Sequence, residues 1–336
     1  FSAKPGLYNS IQRRIATLIK LLTGDHSESW QPVATYAGER ICEKLKIDMI
    51  MAEHSPDASV FAANFLHHRL NIPWVIDFRD PMMRDLNKVA RKIYRIFTLP
   101  RFRSVTGTIN VNEFWSSQDE ELFKVKSCVI QNGFDSDDFK FIKAGKPERV
   151  LTIGYFGSIQ PGQHLDAFLR ALSSLPGHLR VKFIYRGHLN SRIEDFFSQH
   201  HLKNVEIDSK PTVPREQGLQ LMASCDVLLL LSLKNENDPY LVNGLIPGKT
   251  FEYFALRKPI LVVTGDDGLL NELIHSGNVG RVGKDEQSII KLLEVASIQK
   301  ENNANIWDIS YENGFEEQFS RKKQAENLVK FIESLL

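Results

Sequence analysis

The sequence predicts an α/β protein made of two tandem Rossmann-like halves, each a parallel sheet flanked by helices. Short apolar runs alternate with helical patterns along most of the chain, the mark of parallel strands joined by crossover helices. The 336 residues suffice for two domains of ordinary size. A polar stretch rich in Lys, Asp and Gly, Asp135–Glu148, interrupts the alternation and reads as a linker, dividing the chain into residues 1–142 and 143–336.

In the first half, runs of aliphatic and aromatic residues predict strands over Ile47–Ala52, Trp74–Phe78, Gly107–Val111 and Ser127–Ile130. Helical periodicity between them predicts helices over Ala34–Leu45, Ala58–Leu70, Lys88–Leu99 and Glu113–Phe123. The second half offers strands over Leu151–Phe156, Val181–Tyr185, Val205–Ile207, Val227–Leu231 and Ile260–Val263. Its helices are expected near Leu165–Ser174, Arg192–His200, Glu216–Ala223, Thr250–Arg257, Gly268–His275 and Gln287–Ala296. The first half lacks an early strand with a glycine-rich turn and opens on Phe1 rather than Met. It is expected to be incomplete, short of two or three strand–helix units.

Tyr8–Leu22 places Ile11, Ile15, Leu18, Ile19 and Leu22 on one helical face, with Arg13, Arg14 and Lys20 elsewhere. Such a basic amphipathic helix suits either an anionic membrane surface or packing on its own domain. The net charge of +1 gives no electrostatic case for nucleic acid. Cys42, Cys128 and Cys225 are scattered, fit no metal spacing and suggest a reducing, cytoplasmic setting. No apolar run approaches the length of a membrane span. Zinc-ligand spacing, a GxSxG elbow and a dinucleotide GxGxxG are all missing.

The most informative segment is Gly244–Val263, read as a glycine turn, a short helix and a buried strand. At the helix start the amides of Gly248, Lys249 and Thr250 are expected to point outward, forming an anion site with the Lys249 ammonium. Glu252, three residues after Lys249, could accept hydrogen bonds from a sugar's vicinal hydroxyls, so the pair suggests a nucleotide-type ligand. Pro247 and Glu252 are also ordinary helix-start chemistry. Gly-Lys-Thr is a decoy here, because the phosphate-loop pattern requires a glycine where Asn243 stands.

Other strand ends add candidates. Gly157 after Leu151–Phe156 would let a phosphate approach the backbone, and Ser158 could donate one hydrogen bond. Arg186 ends the next strand with a guanidinium suited to phosphate, or to a surface ion pair. Asp77, Arg79 and Asp80 crowd the end of Trp74–Phe78 as a site or a fixed ion-pair cluster. His54-Ser55-Pro56 is equivalent on the preceding strand, with Ser55 or Asp57 expected to cap the following helix.

Together these segments resemble the GT-B glycosyltransferases, specifically the retaining family usually numbered four. Val129-Ile-Gln-Asn-Gly-Phe-Asp135 followed by Phe139 resembles the family's signature before the interdomain linker. Pro247-Gly-Lys-Thr-Phe-Glu-Tyr-Phe-Ala-Leu-Arg-Lys-Pro-Ile-Leu261 resembles its donor-binding helix, and Tyr155–Ser158 its first donor-domain turn. Ile72-Pro-Trp-Val-Ile-Asp-Phe-Arg-Asp-Pro81 is similar to an acceptor-side motif of a bacterial subgroup. Phe319-Ser-Arg321 and the last helix resemble the segment that crosses back to the first domain.

The resemblance implies metal-independent sugar transfer with retention from a nucleotide-diphosphate sugar to a saccharide or lipid-linked acceptor, in bacterial surface-polysaccharide assembly. No cofactor is implied. Glu252 would bind the ribose, the amides before it the diphosphate, and backbone near Thr212-Val213 the base. Asp80 would lie near the transferred sugar with Arg79 beside it. Three departures stand out: Gly244 replaces a second glutamate, Ser158–Gln163 lacks the usual arginine and lysine, and the N-terminal glycine-rich loop is absent. Lys249 and Arg186 could replace the missing cations. A nucleotide-sugar epimerase and a non-catalytic binding module are the competing readings. The epimerase's histidine–glycine–acidic loop is not found.

Overall fold

The structure is a computed structural model that describes residues 30–336 except positions 55, 83–87, 144, 146–147, 189–190, 201, 234–243 and 266. The predicted Tyr8–Leu22 helix lies outside the described residues. The chain forms two compact units, one of residues up to Gln131 with Ala325–Leu336, the other of Asn132–Gln324.

The first unit contains α1 (Trp30–Cys42), β1 (Ile50–His54), α2 (Asp57–Leu70), β2 (Trp74–Phe78), α3 (Lys88–Phe97), β3 (Gly107–Asn110), α4 (Glu113–Phe123) and β4 (Lys126–Val129). The four strands pair in parallel in the order β1-β2-β3-β4. β2 is buried along its whole length, so its side chains alternate between two apolar layers. Trp74, Ile76 and Phe78 face a cluster with Val60, Phe61 and Phe102. Val75 joins Ile109 and Ile130 in a second cluster, covered by Leu328, Phe331, Ile332 and Leu335 from the chain's end.

The second unit contains β5 (Leu151–Phe156), α5 (Leu165–Ser173), β6 (Val181–Arg186), α6 (Ser191–Gln199), β7 (Val205–Lys210), α7 (Arg215–Ser224) and β8 (Val227–Leu231). It continues with α8 (Lys249–Ala255), β9 (Ile260–Val263), α9 (Leu269–Ser276), β10 (Gly280–Gly283) and α10 (Glu286–Glu301); the last helix, α11 (Arg321–Glu333), belongs from Ala325 on to the first unit. Its six strands are ordered β10-β9-β8-β5-β6-β7, the doubly wound arrangement. The order reverses between β5 and β8, and the crevice outside the strands' carboxyl ends there is the favoured ligand position of such sheets. β8, Val-Leu-Leu-Leu-Leu, is central and fully buried, as an apolar run covered on both faces requires.

Several element ends differ from the sequence reading, and four of the differences have a clear physical cause. β1 starts at Ile50 because its partner β2 starts at Trp74, and Ile50 pairs with Trp74. β7 extends to Lys210 through three polar residues, an edge strand held by β6 alone. β10 was not expected, since Gly-Arg-Val-Gly has almost no apolar signal. Its Gly280 has no room for a side chain beside the Ile260 carbonyl. α10 runs to Glu301, started by a capping box between Asp285 and Ser288.

The Asn132-Gly133 signature has a steric cause. A Cβ on Gly133 would stand 2.2 Å from the Phe319 carbonyl oxygen, where Phe134 pairs with Ser320. Gly133→Ala is therefore expected to destabilise the second unit by about 1–3 kcal/mol, read as a lower urea midpoint at unchanged slope. An unchanged midpoint would show that this contact yields freely. Among the described residues, no helix is long and apolar enough to cross a membrane.

Candidate functional site

A cleft of about 300 Å³ in the second unit is lined by Phe156, Gly157, Arg186, Thr212, Val213, Arg215, Gly218, Leu219, Met222 and Glu252. Most of these residues follow directly from the sheet. Phe156 and Gly157 end β5, Arg186 ends β6, and Thr212, Val213 and Arg215 follow β7. Gly218, Leu219 and Met222 come from α7, and Glu252 from the first turn of α8. The lining combines an apolar group (Phe156, Val213, Leu219, Met222) with three charges (Arg186, Arg215, Glu252), the mixture expected of a pocket for a ring with a polar tail.

Gly157 takes φ +111°, a conformation that disfavours any other residue. It also keeps space open: an atom at its missing Cβ position would lie 3.2 Å from Lys249 Nζ. A phosphate oxygen approaching the Gly157 backbone would therefore come within hydrogen-bond reach of that ammonium. Lys249 lies over the Tyr155 ring with Nζ 3.7 Å from the centroid. Burial pushes its pKa down to about 7, against the opposing pull of the Glu252 charge. The loop after Gly157 lacks cations but is held by hydrogen bonds. Buried Gln163 ties it to β8, donating to the Leu231 carbonyl at 2.9 Å and accepting from the Gln160 amide at 2.8 Å. The Tyr155 hydroxyl donates to the Ser158 carbonyl at 3.1 Å.

Arg186 lines the cleft, but its side chain is only 6% exposed and its guanidinium is largely committed. Nη2 donates to Asp208 Oδ2 at 2.5 Å, and Nη1 to the Asp208 and Tyr185 carbonyls at 2.6 and 2.8 Å. It acts first as a brace between β6 and β7. The expected row of three outward amides is also shorter. The Thr250 amide donates to the Pro247 carbonyl at 2.9 Å, and its side chain is fully buried. α8 spans seven residues, so its dipole is small and the charge of the site rests on side chains.

Arg215 escaped the sequence reading. Its Nη1 lies 2.5 Å from Glu252 Oε1, while Nε and Nη2 donate to Asp138 Oδ2 at 3.1 and 2.7 Å. A signal was available: a cation at the first position of a helix stands where the dipole disfavours it, which suggests a role outside the helix.

In the first unit, Asp77 is buried within β2, and Arg79 donates to its Oδ2 from Nε at 3.0 Å and from Nη2 at 2.6 Å. Arg79 Nη1 also reaches the Ile130 carbonyl at 3.2 Å. Burial pushes the Asp77 carboxyl up, with the Arg79 charge opposing it. Asp77 and Arg79 thus form a fixed ion pair at the strand end, and Asp80 follows it, half-buried. Asp57 does not cap α2. It accepts hydrogen bonds from His54 Nε2 at 2.7 Å and from the Tyr94 hydroxyl at 2.9 Å, and the cap position is Pro56.

No protein-family model matches the sequence, and neither does any curated protein. Solved structures do. Anabaena HepE, crystallised with UDP, is 14% identical, with 90% of this chain and 82% of that one covered at a TM-score of 0.66. The lipopolysaccharide outer core galactosyltransferase WaaB, in its apo form, is 12% identical with 93% and 82% covered, TM-score 0.61. A Listeria monocytogenes protein proposed to be a UDP-N-acetylglucosamine 2-epimerase is 10% identical with 90% and 78% covered, TM-score 0.53. These likenesses show the fold: the chain has the two-sheet α/β GT-B architecture shared by glycosyltransferases and such epimerases.

Proposed function

We propose that the chain is a glycosyltransferase that binds a nucleotide-diphosphate sugar in the cleft of the second unit and passes the sugar to a saccharide or lipid-linked acceptor. The observation that carries this reading is Glu252 facing a cleft with Gly157, at the carboxyl ends of the strands flanking the switch point. HepE offers support from the same fold, having been crystallised with UDP and with UDP-glucose. In this reading the Glu252 carboxylate accepts the ribose hydroxyls. The base lies against Val213, Leu219 and Met222, and the diphosphate crosses Gly157 within reach of Lys249 and the Ser158 hydroxyl. As the sugar bond breaks, negative charge grows on the leaving diphosphate, and a fixed ammonium there lowers the barrier without a divalent ion. Retention at the sugar carbon, a role for Arg79 and Asp80 in transfer, and a cytoplasmic setting with peripheral membrane contact through Tyr8–Leu22 belong to the same proposal and rest on the sequence motifs.

Incubating the chain with UDP-sugars and analysing the products tests it. Transfer or slow hydrolysis releases free UDP, and Asp80→Asn is expected to lower that rate at least about tenfold with UDP affinity unchanged. An isomerised, intact sugar nucleotide would identify an epimerase instead. Binding without turnover would identify a non-catalytic module.

A further inference from the structure

Glu252 is held by a charged relay outside the set of residues that the cleft's nucleotide reading requires. Arg215 stands between two carboxylates from different elements, Asp138 on the short turn Ser136–Phe139 and Glu252 on α8. Its guanidinium uses two edges: Nε and Nη2 grip one Asp138 oxygen, and Nη1 grips Glu252 Oε1. The Asp138 turn is itself anchored. Asp135 caps it by accepting from the Asp137 amide at 3.0 Å, and Phe134 packs edge-on against Phe139 at 5.7 Å. Gln220 of α7 exchanges hydrogen bonds with the Lys143 backbone, tying Arg215's helix to the segment after that turn.

We propose that Arg215 is a positioning residue for ribose recognition: braced by Asp138, it turns the Glu252 carboxylate so that both oxygens can accept from a vicinal diol. The inference rests on the nucleotide reading of the cleft. An ionised carboxylate offers about four lone-pair sites, and Arg215 uses one of them. One site on Oε1 and two on Oε2 are left, and among the described residues Oε2 has no protein hydrogen-bond partner. Two adjacent hydroxyls need one acceptor on each oxygen, so the carboxylate can serve the diol without releasing Arg215. A rival view is that this is an ordinary surface pair, since the Arg215 side chain is 54% exposed. Isolated exposed pairs contribute little. A planar fork held at two edges by two carboxylates loses far less freedom on binding, and an ammonium has no such fork.

Calorimetric titration of the full chain with UDP and with 2′-deoxy-UDP tests the proposal, using Arg215→Ala, Arg215→Lys and Asp138→Asn. Arg215→Ala is expected to raise the Kd for UDP about tenfold and that for the deoxy analogue by less than about twofold, because only the diol reads the carboxylate's orientation. Arg215→Lys should remain poorly selective. Asp138→Asn, outside the cleft lining, should lose part of the selectivity with its fold intact by circular dichroism. Equal losses for both ligands, or full selectivity in the lysine variant, would overturn the inference and leave the nucleotide reading standing. A wild-type chain that binds both ligands equally would do the same. A wild-type chain that binds neither ligand, nor any other nucleoside diphosphate, would overturn both.

Discussion

Replacing Glu252 by Ala is expected to raise the Kd for UDP about 30-fold. Two hydrogen bonds from ribose hydroxyls to an ionised carboxylate are lost, each contributing about 1.5–3 kcal/mol when fully formed. Part of that returns because water enters the vacated space, and about 1.4 kcal/mol corresponds to tenfold in affinity. The side chain is 21% exposed, which favours the lower end of the range. Glu252→Gln should fall between, since an amide keeps one acceptor oxygen and presents two donors where the second stood. Equilibrium dialysis with labelled UDP measures all three. A Glu252→Ala variant that binds as tightly as the wild type would remove the ribose assignment.

The second large effect belongs to Lys249 and depends on pH. Burial holds its pKa near 7 in the empty protein, while an unfolded lysine titrates near 10.5. Between those values the unfolded chain binds more protons at this residue, so the residue's contribution to stability rises with pH across that window. A diphosphate reverses the preference, because a neighbouring anion favours the charged amine. Binding should therefore take up a proton above pH 7, and affinity should fall as pH rises. UDP-glucose is the suitable probe, since its diphosphate is a diester with no titration in this range. Its Kd is expected to rise about tenfold from pH 6.5 to 8.5, and the slope should vanish in Lys249→Met, which should bind weakly throughout. A slope that survives in Lys249→Met would place the titrating group elsewhere.

Much of the architecture was legible because parallel strands buried on both faces are continuous apolar runs. Trp74–Phe78, Leu151–Phe156, Val227–Leu231 and Ile260–Val263 match the sequence reading residue for residue. What escaped was edge structure. β10 has one apolar residue between two glycines, and four of the six residues of β7 are polar, because an edge strand needs a partner more than a hydrophobic signature.

For the cleft, sequence spacing brought Gly157, Arg186, Val213 and Glu252 to one end of one sheet, since all four follow carboxyl ends of strands or the helix after them. Spacing could not show how their charges are used. Arg186 reads equally as a phosphate contact or an ion-pair partner until Asp208, 22 residues on, accepts its hydrogen bonds. Thr250 looks like an outward amide until Pro247 closes the turn beneath it. Arg215 and Glu252 are 37 residues apart, and no local pattern pairs them. Long-range pairing of side chains is what the fold adds.

The most direct measurement is a crystal structure of the chain soaked with UDP. The account predicts density in the second unit's cleft, with the ribose hydroxyls on the Glu252 carboxylate, the diphosphate over Gly157 and the Lys249 ammonium turned toward it. UDP bound elsewhere, or bound in the cleft with its ribose away from Glu252, would contradict it.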